Sequence, residues 1–273
     1  MGTNFNEIFS VKKPAIAMVH LRALPGTVNY DADAGLDGII DAAAREIRVL
    51  QKAGFDGLLF CNESDMPFTR GVSPAVVASM TYCITSLLTE LSVPFGTDVI
   101  MDNRAAIAVS AATGGRFVRG IFTGVYASDL GILDTNGAEE ILFKKHIHAN
   151  EVALFARISQ GLAAPIADRS PKLKAYGAAW AALADAIVVT GGAPGDLVNI
   201  EEIEQAREGA PTLPMIASNG ISVDNVQDIL AAADAVIVGT KIKEDGVTLN
   251  PTNPELAQSF MAQVRQYRER AKG

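Results

Sequence analysis

Eight short apolar runs recur along the chain, each followed by a longer stretch patterned as a helix. They fall at 15–21, 57–61, 95–101, 117–122, 152–158, 186–190, 215–218 and 235–239. A strand that is apolar at every position needs cover on both faces, and a parallel sheet flanked by helices provides it. Eight such units in 273 residues predict an α/β fold, the (β/α)8 or TIM barrel, as a single domain over 1–273. A doubly wound open sheet is the rival; the count of eight and the length favour the barrel. Helix starts are signalled by Ser73-Pro74, Ser170-Pro171 and Asn253-Pro254, a capping residue before a proline in the first turn. Ser222 marks a further start before 223–230.

In such a barrel the chemistry lies where strands end at their carboxyl edge. The stretch 117–136 begins as a strand carrying Arg119. It breaks at Thr123-Gly124 into a polar loop holding Tyr126, Ser128, Asp129, Asp134 and Asn136, which suits the floor of an active site. The first run ends in His20, a general acid or base near neutral pH or a histidine satisfied by backbone groups. The second ends in Asn62-Glu63-Ser64-Asp65, where Glu63 is the preferred acid–base group and Asn62 a ligand contact; a capped, solvent-facing loop is the plain alternative. The third holds Asp98 among apolar residues, and a buried carboxylate needs a partner. Arg119 on the neighbouring strand is the natural one. Asp102, nearer the mouth, is the better functional candidate, with Asn103 as a helix cap.

Arg157 and Ser159 follow on the fifth run. Arg119 with Arg157 makes either a cationic floor for a carboxylate, phosphate or oxyanion, or half of a salt-bridge layer with Asp98 and Asp102. Thr190 and a glycine-rich loop through Gly195 end the sixth run. Ser218-Asn219-Gly220 and Gly239-Thr240 end the last two, the usual phosphate-binding position of the fold. His146 and His148 read as solvated surface residues. Cys61 reads as a small core residue and not as a nucleophile, because nothing beside it lowers a thiol pKa.

Net charge is −8, which argues against a nucleic-acid surface but leaves room for a small anionic or phosphorylated ligand. Two cysteines, outside any CxxC pattern, suit a reducing, cytoplasmic setting. The amino terminus lacks signal-peptide regions, and no apolar run is long enough for a membrane span. Homo-oligomerisation is left open. HExxH, paired-histidine and EF-hand spacings are absent, so no dedicated metal or cofactor motif is visible and the cofactor stays unknown. Carboxylates at the mouth could still hold magnesium together with a substrate.

Four stretches, AMVHLRALPG (17–26), PFGTDV (94–99), FVRGIFTGVYASDLGILDTN (117–136) and IVGTKIKEDG (237–246), resemble the BtpA/SgcQ family, and Asn62-Glu63 with the IFTGxYASDxG segment resembles its SgcQ branch. The resemblance implies a TIM barrel of the ribulose-phosphate-binding kind. It associates BtpA members with photosystem I biogenesis and the SgcQ branch with sugar transport and metabolism genes, without a settled reaction. Many BtpA-like sequences carry a pattern resembling ADVHVKHA near strand five. Here the stretch reads ARISQGLA, with Arg157, Ser159, Gly161 and Leu162 at the corresponding positions.

The expectation is an enzyme acting on a small, phosphorylated, sugar-like or nucleoside-like substrate. Glu63, Asp102 and His20 would move protons, and Arg119 and Arg157 would stabilise charge. Asn62, Asp98, Thr123, Asp129, Ser159 and Thr190 would contact substrate. Ser218, Asn219, Gly220, Gly239 and Thr240 would hold phosphate. Lyase, glycosidic hydrolase and isomerase chemistry stay open; a Schiff-base aldolase ranks lower, with only Lys241 and Lys243 near a strand. The alternative is a non-catalytic barrel that binds a metabolite or partner in assembly or regulation. The segment 123–129 is the expected seat of selectivity.

Overall fold

The computed structural model describes residues 5–159, 161, 163–191 and 196–271. In chain order its strands are β1 (Ala15–His20), β2 (Gly57–Cys61), β3 (Phe95–Asp98), β4 (Phe117–Gly120), β5 (Val125–Ser128), β6 (Gly131–Asp134), β7 (Ala153–Arg157), β8 (Ala163–Pro165), β9 (Ala186–Thr190), β10 (Met215–Ser218) and β11 (Ala235–Val238). The helices are α1 (Phe5–Ile8), α2 (Gly35–Ala53), α3 (Pro74–Ser86), α4 (Asn103–Thr113), α5 (Gly137–His146), α6 (Pro171–Ala181), α7 (Ile200–Gly209), α8 (Val226–Ala232) and α9 (Pro254–Arg270). Eight strands, β1-β2-β3-β4-β7-β9-β10-β11, close into an all-parallel barrel. Closure is visible at Ala17, which stands in register with Leu58 on one side and Val238 on the other. The barrel is the expected one, built on the eight expected runs.

The continuous apolar strands now have their reason. Alternate residues face two separate cores. Ala15, Ala17, Val19, Leu58 and Val118 pack outward beneath the helices. Ile16, Met18, Leu59, Phe117, Phe155, Val188, Ile216 and Ile237 fill the barrel interior. Phe117 and Phe155 stack there with centroids 4.7 Å apart. The amino-terminal segment plugs the same core: Phe9 packs on Phe117 at 5.8 Å and Phe5 on Phe155 at 5.7 Å. Gly96 lets β3 approach β4, since a Cβ there would lie 2.3 Å from the Phe117 carbonyl oxygen.

Caps behave as the sequence predicts at three helices. Ser73, Ser170 and Asn253 each accept a hydrogen bond from the first turn that follows, with proline at its start. At α8 the capping position passes from Ser222 to Asn225. At α4 the cap is Asp102 and not Asn103, whose amide donates to the Ile121 carbonyl at 2.6 Å. The third strand stops at Asp98, short of 101, because Asn62 Oδ1 accepts from Ile100 N–H at 2.8 Å and the chain turns with Asp102 N–H on the Val99 carbonyl. Residues 123–136, read as a loop, instead form the β5–β6 hairpin, with β8 as its third antiparallel strand. Ser128 pairs with Gly131, so the turn is the two residues Asp129-Leu130. No helix among the described residues is long and apolar enough to cross a membrane.

Candidate functional site

The layer above the aromatic interior is polar. Asp98 on β3 and Arg119 on β4 both point inward and are buried; Arg119 Nε donates to Asp98 Oδ2 at 2.7 Å. Arg119 Nη1 reaches across the barrel to Ser218 Oγ on β10 at 3.3 Å. Burial opposes the Arg119 charge, but Asp98 and its acidic neighbours outweigh it and raise the guanidinium pKa further. Burial lowers that of Arg157, and the charge of Arg119 lowers it again.

A cavity of about 140 Å³ opens on this layer. Its lining gathers His20, Glu63, Arg119, Arg157, Ser218, Asn219, Gly220, Gly239 and Thr240, all sequence candidates. Elements that are far apart in sequence meet here because every strand delivers its last inward residue to one end of the barrel. His20 Nδ1 lies 3.1 Å from the Thr248 carbonyl oxygen. A carbonyl only accepts, so Nδ1 carries the proton and Nε2 keeps its lone pair. Burial, then the charge of Lys243, drives the His20 pKa down to about 3, and the imidazole is neutral at physiological pH. Glu63 is pushed the other way: burial raises its carboxyl pKa against the opposing pull of Arg119. Cys61 Sγ donates to Glu63 Oε2 at 3.6 Å, and burial raises the thiol pKa, so sulfur acts here as a donor.

Other candidates are turned to different tasks. Asn62 is buried; its amide donates to Asp65 Oδ2 at 2.9 Å, while Asp65 Oδ1 accepts from Leu24 N–H at 2.8 Å. That network ties the first three strand-end loops together. Asp102 accepts from Ala105 N–H at 2.9 Å and Val72 N–H at 3.0 Å, so both its oxygens hold backbone. Ser159 and Thr190 hydroxyls bond each other at 2.7 Å. Thr123 supplies a carbonyl to the Tyr126 hydroxyl at 3.3 Å, and Asp129 stands exposed at the hairpin tip. Gln160, Leu162 and the loop 192–195 lie outside the described residues; Gly161 lines the cavity. Lys243 is buried against Glu46, which also holds the Thr252 amide at 2.6 Å. Lys241 is at the cavity rim.

A second, larger cavity of about 720 Å³ lies under the hairpin. Asp98, Arg104, Tyr126, Asn136, Glu140 and Arg157 line it. Arg157, Ile100 and Met101 border both spaces. Met101 holds a left-handed φ of 65°, uncommon for a side chain of its size. Arg70 latches the hairpin by donating to the Ile132 carbonyl at 2.5 Å. Sequence reasoning misses Arg70 and Thr248, because a contact made across 62 or 228 residues leaves no local signal.

Residues 11–266 match the BtpA family. The chain is 34% identical over 262 residues to "Putative sgc region protein SgcQ" of Escherichia coli (strain K12), covering 96% of this chain and 98% of that one. It is 29% identical over 258 residues to the photosystem I biogenesis protein BtpA of Synechocystis, covering 93% and 89%. Among solved structures, N-(5'-phosphoribosyl)anthranilate isomerase from Pyrococcus furiosus superposes with a TM-score of 0.55 at 12% identity, covering 93% of this chain and 99% of that one. A native KDPGal structure gives 0.58 at 15%, covering 95% and 98%. These last two are likenesses of fold.

Proposed function

The chain belongs to the BtpA family, and from that premise we propose that its barrel binds a small phosphate-bearing metabolite in the service of assembly or regulation. The Synechocystis relative is named for such a biogenesis role. The observation that carries the reading is the pairing of Arg119 and Arg157 on one cavity wall, opposite the strand ends that hold Ser218, Asn219, Gly220, Gly239 and Thr240. Two guanidinium groups in a partly desolvated pocket favour an anion strongly. Neutral His20 offers Nε2 as an acceptor for a ligand hydroxyl. The space under the hairpin leaves room for the non-phosphate part, with Arg157 between the two.

Calorimetric titration with inorganic phosphate, sugar phosphates and nucleoside monophosphates tests this. Wild type should bind a phosphorylated compound, and Arg157→Met should lose at least tenfold in affinity. Equal binding by the variant, or no binding by either, sinks the reading.

A second reading, an acid–base enzyme, is favoured by one specific feature: Glu63, with its raised pKa, lines the same cavity as a neutral histidine. The same titration separates the two. A ligand that raises Tm by mass action and is recovered unchanged supports the binder. Turnover abolished by Glu63→Gln supports the enzyme.

A further inference from the structure

The outer face of α6 carries a stripe that the barrel leaves uncovered. Leu173 is 50% exposed, Tyr176 56%, Trp180 73% and Leu183 62%. Their spacing of three, four and three residues sets them along one side of the helix and its cap. Between them lie only small residues and Lys174. Ala175 and Ala178 point the other way and are fully buried. Single exposed apolar residues are ordinary, but four in one seam, two of them aromatic, mark an interaction surface.

The order within the seam identifies its occupant. Read from either end, it runs leucine, aromatic, aromatic, leucine, with equal steps about its centre at position 178. A twofold axis there sets Leu173 of one copy against Leu183 of the other, and Tyr176 against Trp180, twice over. An isologous interface requires that self-matching, since each contact must occur in both directions. Charge agrees with the antiparallel arrangement. Lys172 and Lys174 occupy the amino-terminal turn, and the twofold brings them to the carbonyl end of the partner helix, where cations are favoured. No carboxylate or second cation lies within the seam to oppose its own image. An interface of standard size takes roughly 800 Å² from each partner; the seam supplies its apolar centre, and charged neighbours such as Lys172 and Glu208, already paired at 3.1 Å, supply the rim.

A second observation is independent of the stripe. Leu183 follows the helix cap with φ 43°, and the Ala184 amide folds back onto the Ala178 carbonyl at 3.2 Å. Glycine is the ordinary occupant of that left-handed position, because it has no Cβ to strain. Here an exposed leucine stands in its place, at a backbone cost that nothing inside the protomer offsets.

From these features we infer that α6 is the dimer seam, and that a second copy of this chain covers it. Trp180 is the only tryptophan, so its fluorescence reports the seam directly. The test combines light scattering and tryptophan emission on the full chain, diluted from about 100 μM to about 0.1 μM. The mass of a dimer should give way to that of a monomer as the emission moves to the red. Trp180→Glu should weaken association roughly thirtyfold or more, the scale of a tryptophan hot spot. Leu183→Gly guards against misfolding: it should weaken association while leaving the Tm of the dilute protein no lower than wild type. A wild type that stays monomeric with red, dilution-independent emission overturns the inference and points to a different protein on this face. So does a Trp180→Glu variant that dimerises like wild type. Either result leaves the ligand reading untouched.

Discussion

His20 sits where burial and two nearby cations, Lys243 and Arg119, all oppose its protonation. Its pKa is held at about 3 against an ordinary 6.5, so the unfolded chain takes up a proton that the fold refuses. The stability tied to the neutral ring is therefore whole above pH 6.5 and drains away as pH falls toward 3. At pH 5 the loss is about 2 kcal/mol, at about 1.36 kcal/mol per pH unit. Urea unfolding at pH 7 and pH 5 should show this extra loss in wild type and not in His20→Gln; equal losses would refute it. Glu63 has the opposite sign. Its raised carboxyl favours the fold at low pH and weakens it as pH rises through the folded pKa, so Glu63→Gln should gain relative stability at neutral pH. The Asp98–Arg119 pair is legible in the sequence, since a carboxylate among apolar residues has to be matched by a neighbouring strand. Asp98→Ala would strand a buried guanidinium and cost about 3–5 kcal/mol. The double variant Asp98→Leu, Arg119→Met should recover most of that in the same unfolding assay. What the sequence conceals is which polar residues are already occupied: Asn62, Asp102, Ser159 and Thr190 carry the same side chains whether they face a ligand or hold backbone and one another.

Elements differ in how far they announce themselves. The barrel strands are recognisable because burial on both faces forces continuous apolarity. The caps are recognisable because a serine or asparagine before proline has few other uses. The β5–β6 hairpin is not, because its turn is Asp129-Leu130 without a following glycine inside the turn, and only Tyr126 and Leu133 are buried on it. Such a short ribbon depends on external ties. Arg70→Ala removes the bond to the Ile132 carbonyl, and limited proteolysis should then cut within 123–136 at least several times faster than in wild type; an unchanged rate would place the restraint elsewhere. At α4, Asp102→Ala loses a cap and the Val72 amide bond together, costing about 1–2 kcal/mol. Asp102→Asn should retain much of it. If both variants keep full Tm but lose ligand affinity, Asp102 belongs to the binding surface after all.

Across the whole molecule, the two ends of the chain are joined. Arg268 on α9 pairs with Asp56 and donates to the Lys13 carbonyl at 2.9 Å, Arg265 donates to the Ala53 carbonyl at 3.1 Å, and Phe260 stacks on Phe55 at 5.7 Å. Removing residues 254–273 would bare the apolar face that α2 and β1 share, and the truncated chain should populate an expanded state that binds the dye ANS; a cooperative unfolding transition at wild-type Tm would show the helix to be dispensable. The other end has a consequence for how the chain comes off the ribosome. Phe5 and Phe9 are synthesised first, yet the rings they rest on arrive with Phe117 and Phe155. Until more than half of the polypeptide has emerged, the segment that stoppers the barrel has nothing to stopper. It must wait in solvent, aromatic and unsheltered, and its docking is the step at which a nascent sheet becomes a sealed vessel.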